Sequence, residues 1–108
     1  IKLNKRMMKL LVVLSIREIQ DKVAKMLEKA GVEIFSVGDI TGYKKRGYNV
    51  GWFGSDNGKT NSIVMFSFTS AESAHRAIEI IEECNECNQS RFPVRAYILN
   101  VDEFLKVE

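Results

Sequence analysis

The chain has two cysteines, Cys84 and Cys87, and they form a single C-x-x-C pair. A disulfide oxidoreductase needs its attacking cysteine at a helix N-terminus, where the positive end of the helix dipole favours the thiolate. Here the pair follows the helical pattern of Ala74, Ile78 and Ile81, so both thiols fall near a helix C-terminus. Two thiolates also leave a zinc site two ligands short unless subunits pool them. The expectation is one core cysteine, one incidental reduced thiol and no metal. His75 is the only histidine, and no Ser, Cys or Asp stands at a spacing that suggests a nucleophilic triad with it. Glu79, Glu82, Glu83 and Glu86 fit a solvated helix face better than an acid–base pair. The chain is read as a non-enzyme with no catalytic residue.

The stretch 41–61 carries different chemistry. Gly42, Gly47, Gly51, Gly54 and Gly58 allow backbone N–H groups to come close to a phosphate. Lys44, Lys45 and Arg46 could neutralise that phosphate, and Arg91 and Arg95, flanking the last strand, could add bidentate contacts. Gly58-Lys59-Thr60 lacks the glycine spacing of a Walker loop and opens no helix. The same stretch holds Tyr43, Tyr48, Trp52 and Phe53. It shows no hydrophobic period, so it is predicted to be a long mobile loop of the kind that often carries function.

These residues must be positioned by a small set of elements. Lys9 to Leu14 is short, β-branched and aperiodic, a buried strand. Ser15 with Glu18 reads as a capping box, opening a helix whose inner face is Ile16, Ile19, Val23, Leu27 and Ala30. Gly31 ends that helix as a left-handed cap. Val32 to Ile40 is a second strand and Ser62 to Phe68 a third. Thr69 with Glu72 reads as a second capping box, and Ala74, Ile78 and Ile81, continued by Cys84, line the second helix. Residues 85–91 read as polar loop, Val94 to Val101 as the fourth strand, and Val101 to Leu105 as a short terminal turn.

The order βαββαβ predicts an α+β, ferredoxin-like sandwich: one antiparallel sheet with two helices on one face. Strands this apolar should not leave the other face wet, which points to an oligomer. At 108 residues and 12.3 kDa the chain fits one core. A net charge of +2 is too small by itself to imply polyanion binding. No apolar run reaches the roughly 20 residues of a membrane helix, and Leu10 to Leu14 is too short for a secretory signal. The expectation is therefore a cytoplasmic protein without membrane insertion. Met7 and Met8 suggest that residues 1–7 are an arm or remnant preceding one domain over 8–108.

Met8-Lys-Leu-Leu-Val-Val, Leu27-Glu-Lys-Ala-Gly31, Val37-Gly-Asp-Ile-Thr-Gly-Tyr-Lys-Lys-Arg-Gly47 and Arg95-Ala-Tyr-Ile-Leu-Asn-Val-Asp-Glu-Phe104 together resemble the PII (nitrogen-regulatory) signalling proteins. The Gly42–Gly47 stretch and the Val-Asp-Glu ending are the specific parts. The resemblance implies a homotrimer with ligand clefts between subunits, in which ATP, ADP, AMP or a cyclic nucleotide binds as a ligand rather than a cofactor. It also implies a T-loop, residues 43–60, that docks onto a membrane transporter or metabolic enzyme. By position, Ser36 would lie beside the adenine, and Gly42 and Lys44 would open the T-loop at the cleft. Arg95 stands where the family has a phosphate-binding lysine and Lys106 where it has a C-terminal arginine. Residues 88–94 lack the glycines of the family's B-loop, Glu108 replaces a second arginine, and modification at Tyr48 is not implied.

An RNA-recognition module shares the βαββαβ order, and Ser62 to Ile78 resembles its third strand and second helix. Such modules stack bases on outward aromatics of the first and third strands. Leu10 to Leu14 offers none, and no Lys/Arg-Gly-Phe/Tyr precedes Val64, so nucleic acid is not the expected partner. A metal-linked small-ligand sensor of the same fold is the remaining alternative.

Overall fold

The computed structural model describes residues 7–43, 59–88 and 92–106. Its elements are β1 (Met8–Ile16), α1 (Gln20–Lys29), β2 (Ser36–Tyr43), β3 (Lys59–Ser70), α2 (Ala71–Asn88) and β4 (Arg95–Asn100). The strands form one sheet in the order β2-β3-β1-β4, and every neighbouring pair is antiparallel. This is the α+β, ferredoxin-like sandwich that the order of elements predicts.

Strand alternation sends successive side chains to opposite faces. On the covered face, Leu11 and Val13 of β1 and Ile63 and Met65 of β3 are almost fully buried. They form one cluster with Val23, Met26 and Leu27 of α1 and Ala74, Ala77 and Ile81 of α2. The small Ala74 and Ala77 let α2 lie close to the sheet. Ile78, expected inside, is only half-buried, whereas Ala77 and Met26, not singled out beforehand, are core.

Several boundaries differ from those read in the sequence. The Ser15–Glu18 capping box is not formed: β1 runs through Ile16, Ser15 is buried in it, and the Ser15 hydroxyl donates to the Ile16 carbonyl at 2.9 Å. A 3-10 turn, Arg17–Ile19, precedes α1, so Ile16 belongs to the strand and not to the helix face. Pairing with β1 also carries β3 to Ser70. Ser70, not Thr69, then caps α2, its hydroxyl accepting from the Ser73 N–H at 3.1 Å.

Gly31 has φ of 90° as expected. Its N–H donates to the Glu28 carbonyl and the Val32 N–H to the Leu27 carbonyl, both at 3.0 Å. That pair of bonds is a Schellman closure of α1.

The connector after Gly31 delays β2 to Ser36, so Val32 to Phe35 is not strand; Val32 is core and the buried Ser67 hydroxyl donates to the Ile34 carbonyl. β2 and β3 extend to Tyr43 and from Lys59, which removes 41–43 and 59–61 from the expected loop 41–61. The remainder, including Tyr48, Trp52 and Phe53, lies outside the described residues, as do residues 1–6. Residues 85–88 continue α2 rather than forming loop. β4 starts one residue later than expected and ends at Asn100, and residues 101–106 form no turn.

Candidate functional site

The register places the expected ligand residues more sharply than the sequence could. Gly42 of β2 pairs with Thr60 of β3, and Arg95 of β4 pairs with Leu14 of β1. Because β2 and β4 are the two edges of the sheet, β3 and β1 lie between them. Three strand spacings of ~4.8 Å put these edges about 14 Å apart. Ser36 lies on the β2 edge with Gly42, opposite Phe66, and is exposed. Lys106, also exposed, comes six residues after Asn100, the last residue of β4, which pairs with Lys9 at the start of β1. Within one chain, then, Ser36 and Gly42 stand on one edge and Arg95 on the other. Lys44, Lys45, Arg46 and Arg91 lie outside the described residues.

Arg95 alternates with the half-buried Ala96 and Ile98, which face the core, so its side chain shares the uncovered face with Tyr97 and Leu99. Its backbone is fixed from behind by Asn85. The Asn85 carboxamide donates to the Val94 carbonyl at 2.9 Å and accepts from the Val94 N–H at 3.0 Å. A side chain from the last turns of α2 thus stands in for a β-partner at the residue before Arg95. Sequence reading missed this contact because it placed Asn85 in a loop.

At the end of the sheet from which β2 departs and β3 returns is a cavity of about 380 Å³, lined by Ile16, Arg17, Glu18, Asn61 and Phe92. Asn61 pairs with Thr41, next to Gly42. Arg17 makes an exposed ion pair with Asp39 of β2, Nη2 to Oδ1 at 3.2 Å. Both partners are too solvated for the pair to add much stability, but it ties the turn after β1 to the β2 edge. Arg17, Asn61 and Phe92 were not among the expected site residues. Arg17 would have been found had β1 been carried past Ser15, since it then becomes the first residue after a strand at the loop end.

The uncovered sheet face is apolar. Phe66 is 39% exposed, Phe68 57%, Tyr97 45% and Leu99 46%, and they stand among Val12 and Leu14 of β1 by register. The third strand therefore does project aromatics outward, but β1 sets only aliphatic side chains beside them.

Cys84 is half-buried against the core and Cys87 is exposed, both without a disulfide, in the last turns of α2. His75 is exposed in the first turns of the same helix, and Glu79, Glu82, Glu83 and Glu86 are exposed along it. Among the described residues no helix is long and apolar enough to cross a membrane.

No family model matches the sequence, and no curated protein matches it. Solved structures do share its fold. A PII-like signalling protein from Thermus thermophilus superposes with a TM-score of 0.64 at 19% identity, over 87% of this chain and 86% of that one. CPII, a nitrogen-regulatory PII-like protein from Thiomonas intermedia K12 bound to ADP, AMP and bicarbonate, gives 0.66 at 12% identity, over 93% and 96%. A DUF3240 family protein from Shewanella baltica OS155 gives 0.65 at 17% identity, over 94% and 98%. The chain has the PII-like fold, and at that level the resemblance to the PII family is borne out.

Proposed function

We propose that this chain, having the fold of PII-like signalling proteins, is a regulatory protein that binds a small anionic ligand between subunits. An adenine nucleotide is the leading ligand, given CPII bound to ADP and AMP. The observation that carries this reading is the division of the site: Gly42 and Ser36 stand on the β2 edge and Arg95 on the β4 edge. A phosphate reached by both halves must lie where the β2 edge of one copy meets the β4 edge of another. The apolar sheet face supplies the reason for copies to associate. In this reading residues 43–60 dock onto a transporter or metabolic enzyme, and ligand occupancy controls the docking.

Isothermal calorimetry with ATP, ADP, AMP and cyclic AMP tests the ligand. Saturable binding of at least one nucleotide, lost when Arg95 is replaced by Ala, is the expected result. Absence of binding by all four would remove the nucleotide from the site. RNA stacking on Phe66, Phe68 and Tyr97 is disfavoured, because β1 contributes Leu10, Val12 and Leu14 instead of an aromatic. Salt-sensitive binding of single-stranded RNA, lost on Phe66→Ala, would reverse that judgement.

A further inference from the structure

The helix layer carries a second feature, remote from the sheet edges. A groove of about 400 Å³ runs between α1 and α2, lined by Lys22, Lys25, Met26 and Lys29 on one side and by Ile80, Glu83, Cys84 and Cys87 on the other. Both sulfur side chains of the C-x-x-C pair therefore face one space. Residues three apart on a helix hold their Cβ atoms roughly 5–6 Å apart, whereas a disulfide needs about 3.5–4.5 Å. Regular helix thus favours two separate thiols over a bridge. Two metal–sulfur bonds in line, taking the zinc–thiolate length of about 2.3 Å as a guide, span about 4.6 Å between sulfurs, a separation compatible with Cβ atoms roughly 5–6 Å apart.

We propose that Cys84 and Cys87 form a two-coordinate site for a soft monovalent ion of the copper(I) class. Thiolate and thioether donors select copper(I) over harder ions, and Met26, a thioether residue, lines the facing wall of the same groove. Among the described residues no group of three or more Cys, His, Asp or Glu could hold a metal, so these residues do not offer zinc its four ligands. Binding converts two thiols and one Cu⁺ into a bis-thiolate complex of charge −1, with two protons released to solvent. Lys22, Lys25 and Lys29 supply positive charge around that anion, and among the described residues lining the groove Glu83 is the one carboxylate. Cys87, exposed, gives the ion its entry, and Cys84, packed on the core, fixes one end of the site.

Anaerobic titration of the protein with copper(I), against bicinchoninate as competing chelator, tests the site. The expected result is one copper per chain with sulfur-to-copper absorption in the ultraviolet, and no displacement by equimolar zinc(II). Cys87→Ser, at an exposed position, should keep the circular dichroism spectrum and lose the complex; Cys84→Ser should lose it too if folded. Copper retained by Cys87→Ser, half a copper per chain, displacement by zinc, or no binding by the wild type would each overturn the proposal. Nucleotide binding is read separately, because none of these residues lies on a sheet edge.

Discussion

Arg95 and Asn85 meet at the same short piece of backbone, one as a proposed ligand group and the other as its support. Arginine presents a planar fork of donors to phosphate oxygens. Charge-assisted hydrogen bonds contribute roughly 1.5–3 kcal/mol, so Arg95→Ala should weaken nucleotide binding about 10- to 150-fold by calorimetry. Arg95→Lys should recover part of the loss, keeping the charge without the fork. Equal affinities in all three proteins would show that the phosphate is held elsewhere. Asn85 acts on stability instead. Asn85→Ala strips the Val94 N–H and carbonyl of their partner, which should lower stability in urea by about 1–3 kcal/mol. Asn85→Asp keeps the acceptor and loses the donor, and should fall between. A wild-type midpoint in Asn85→Ala would mean that the carboxamide does not hold β4.

At the scale of elements, the end of α1 shows how local chemistry and packing combine. Gly31 lies in the left-handed region, and a Cβ placed on it would come 3.1 Å from the Ser73 hydroxyl oxygen of α2. Gly31→Ala therefore meets two penalties. The backbone alone costs about 1–2 kcal/mol, and Ser73, which donates to the Gly31 carbonyl at 3.4 Å, must also give way. Thermal unfolding should show a lowered midpoint, and Ser73→Ala in the same chain should recover part of it. No change in midpoint would mean that the helix ends without this left-handed residue. Leu27, whose carbonyl accepts the closing bond, is 1% exposed, so Leu27→Ala should cost about 3–5 kcal/mol through lost burial and the cavity left behind.

Among the described residues, one sheet face is covered by helices and the other is bare. Phe66, Phe68, Tyr97 and Leu99 on the bare face are a poor surface for a monomer in water, and the division of the proposed ligand residues between opposite edges asks for a neighbouring copy. Light scattering should give about three times the chain mass of 12.3 kDa. Phe66→Asp sets a charge in the middle of that face, so it should shift the mass toward the monomer and abolish nucleotide binding together. A wild-type monomer at micromolar concentration would defeat the inter-subunit site. A dissociated Phe66→Asp variant that still bound nucleotide would place the ligand within one chain.

The sequence alone determined the number and order of elements, because strand runs such as Leu10–Leu14 and the helical spacing of Val23, Leu27 and Ala30 are local periodicities. It determined Gly31 as a cap for the same reason: the left-handed conformation is a property of one residue. It misjudged Ser15, because a serine before Glu18 has the same local preference whether it caps a helix or lies buried in a strand. Only pairing of Ser15 with Ile63 settles which. Likewise Asn85 reads as loop until Val94 is brought to it across the α2–β4 connection. The positions of Gly42 and Arg95 on opposite edges were beyond any local signal, since strand order depends on long-range pairing of β3 with β1. Sequence thus named the residues that could hold an anion, and tertiary structure decided that one chain holds them apart.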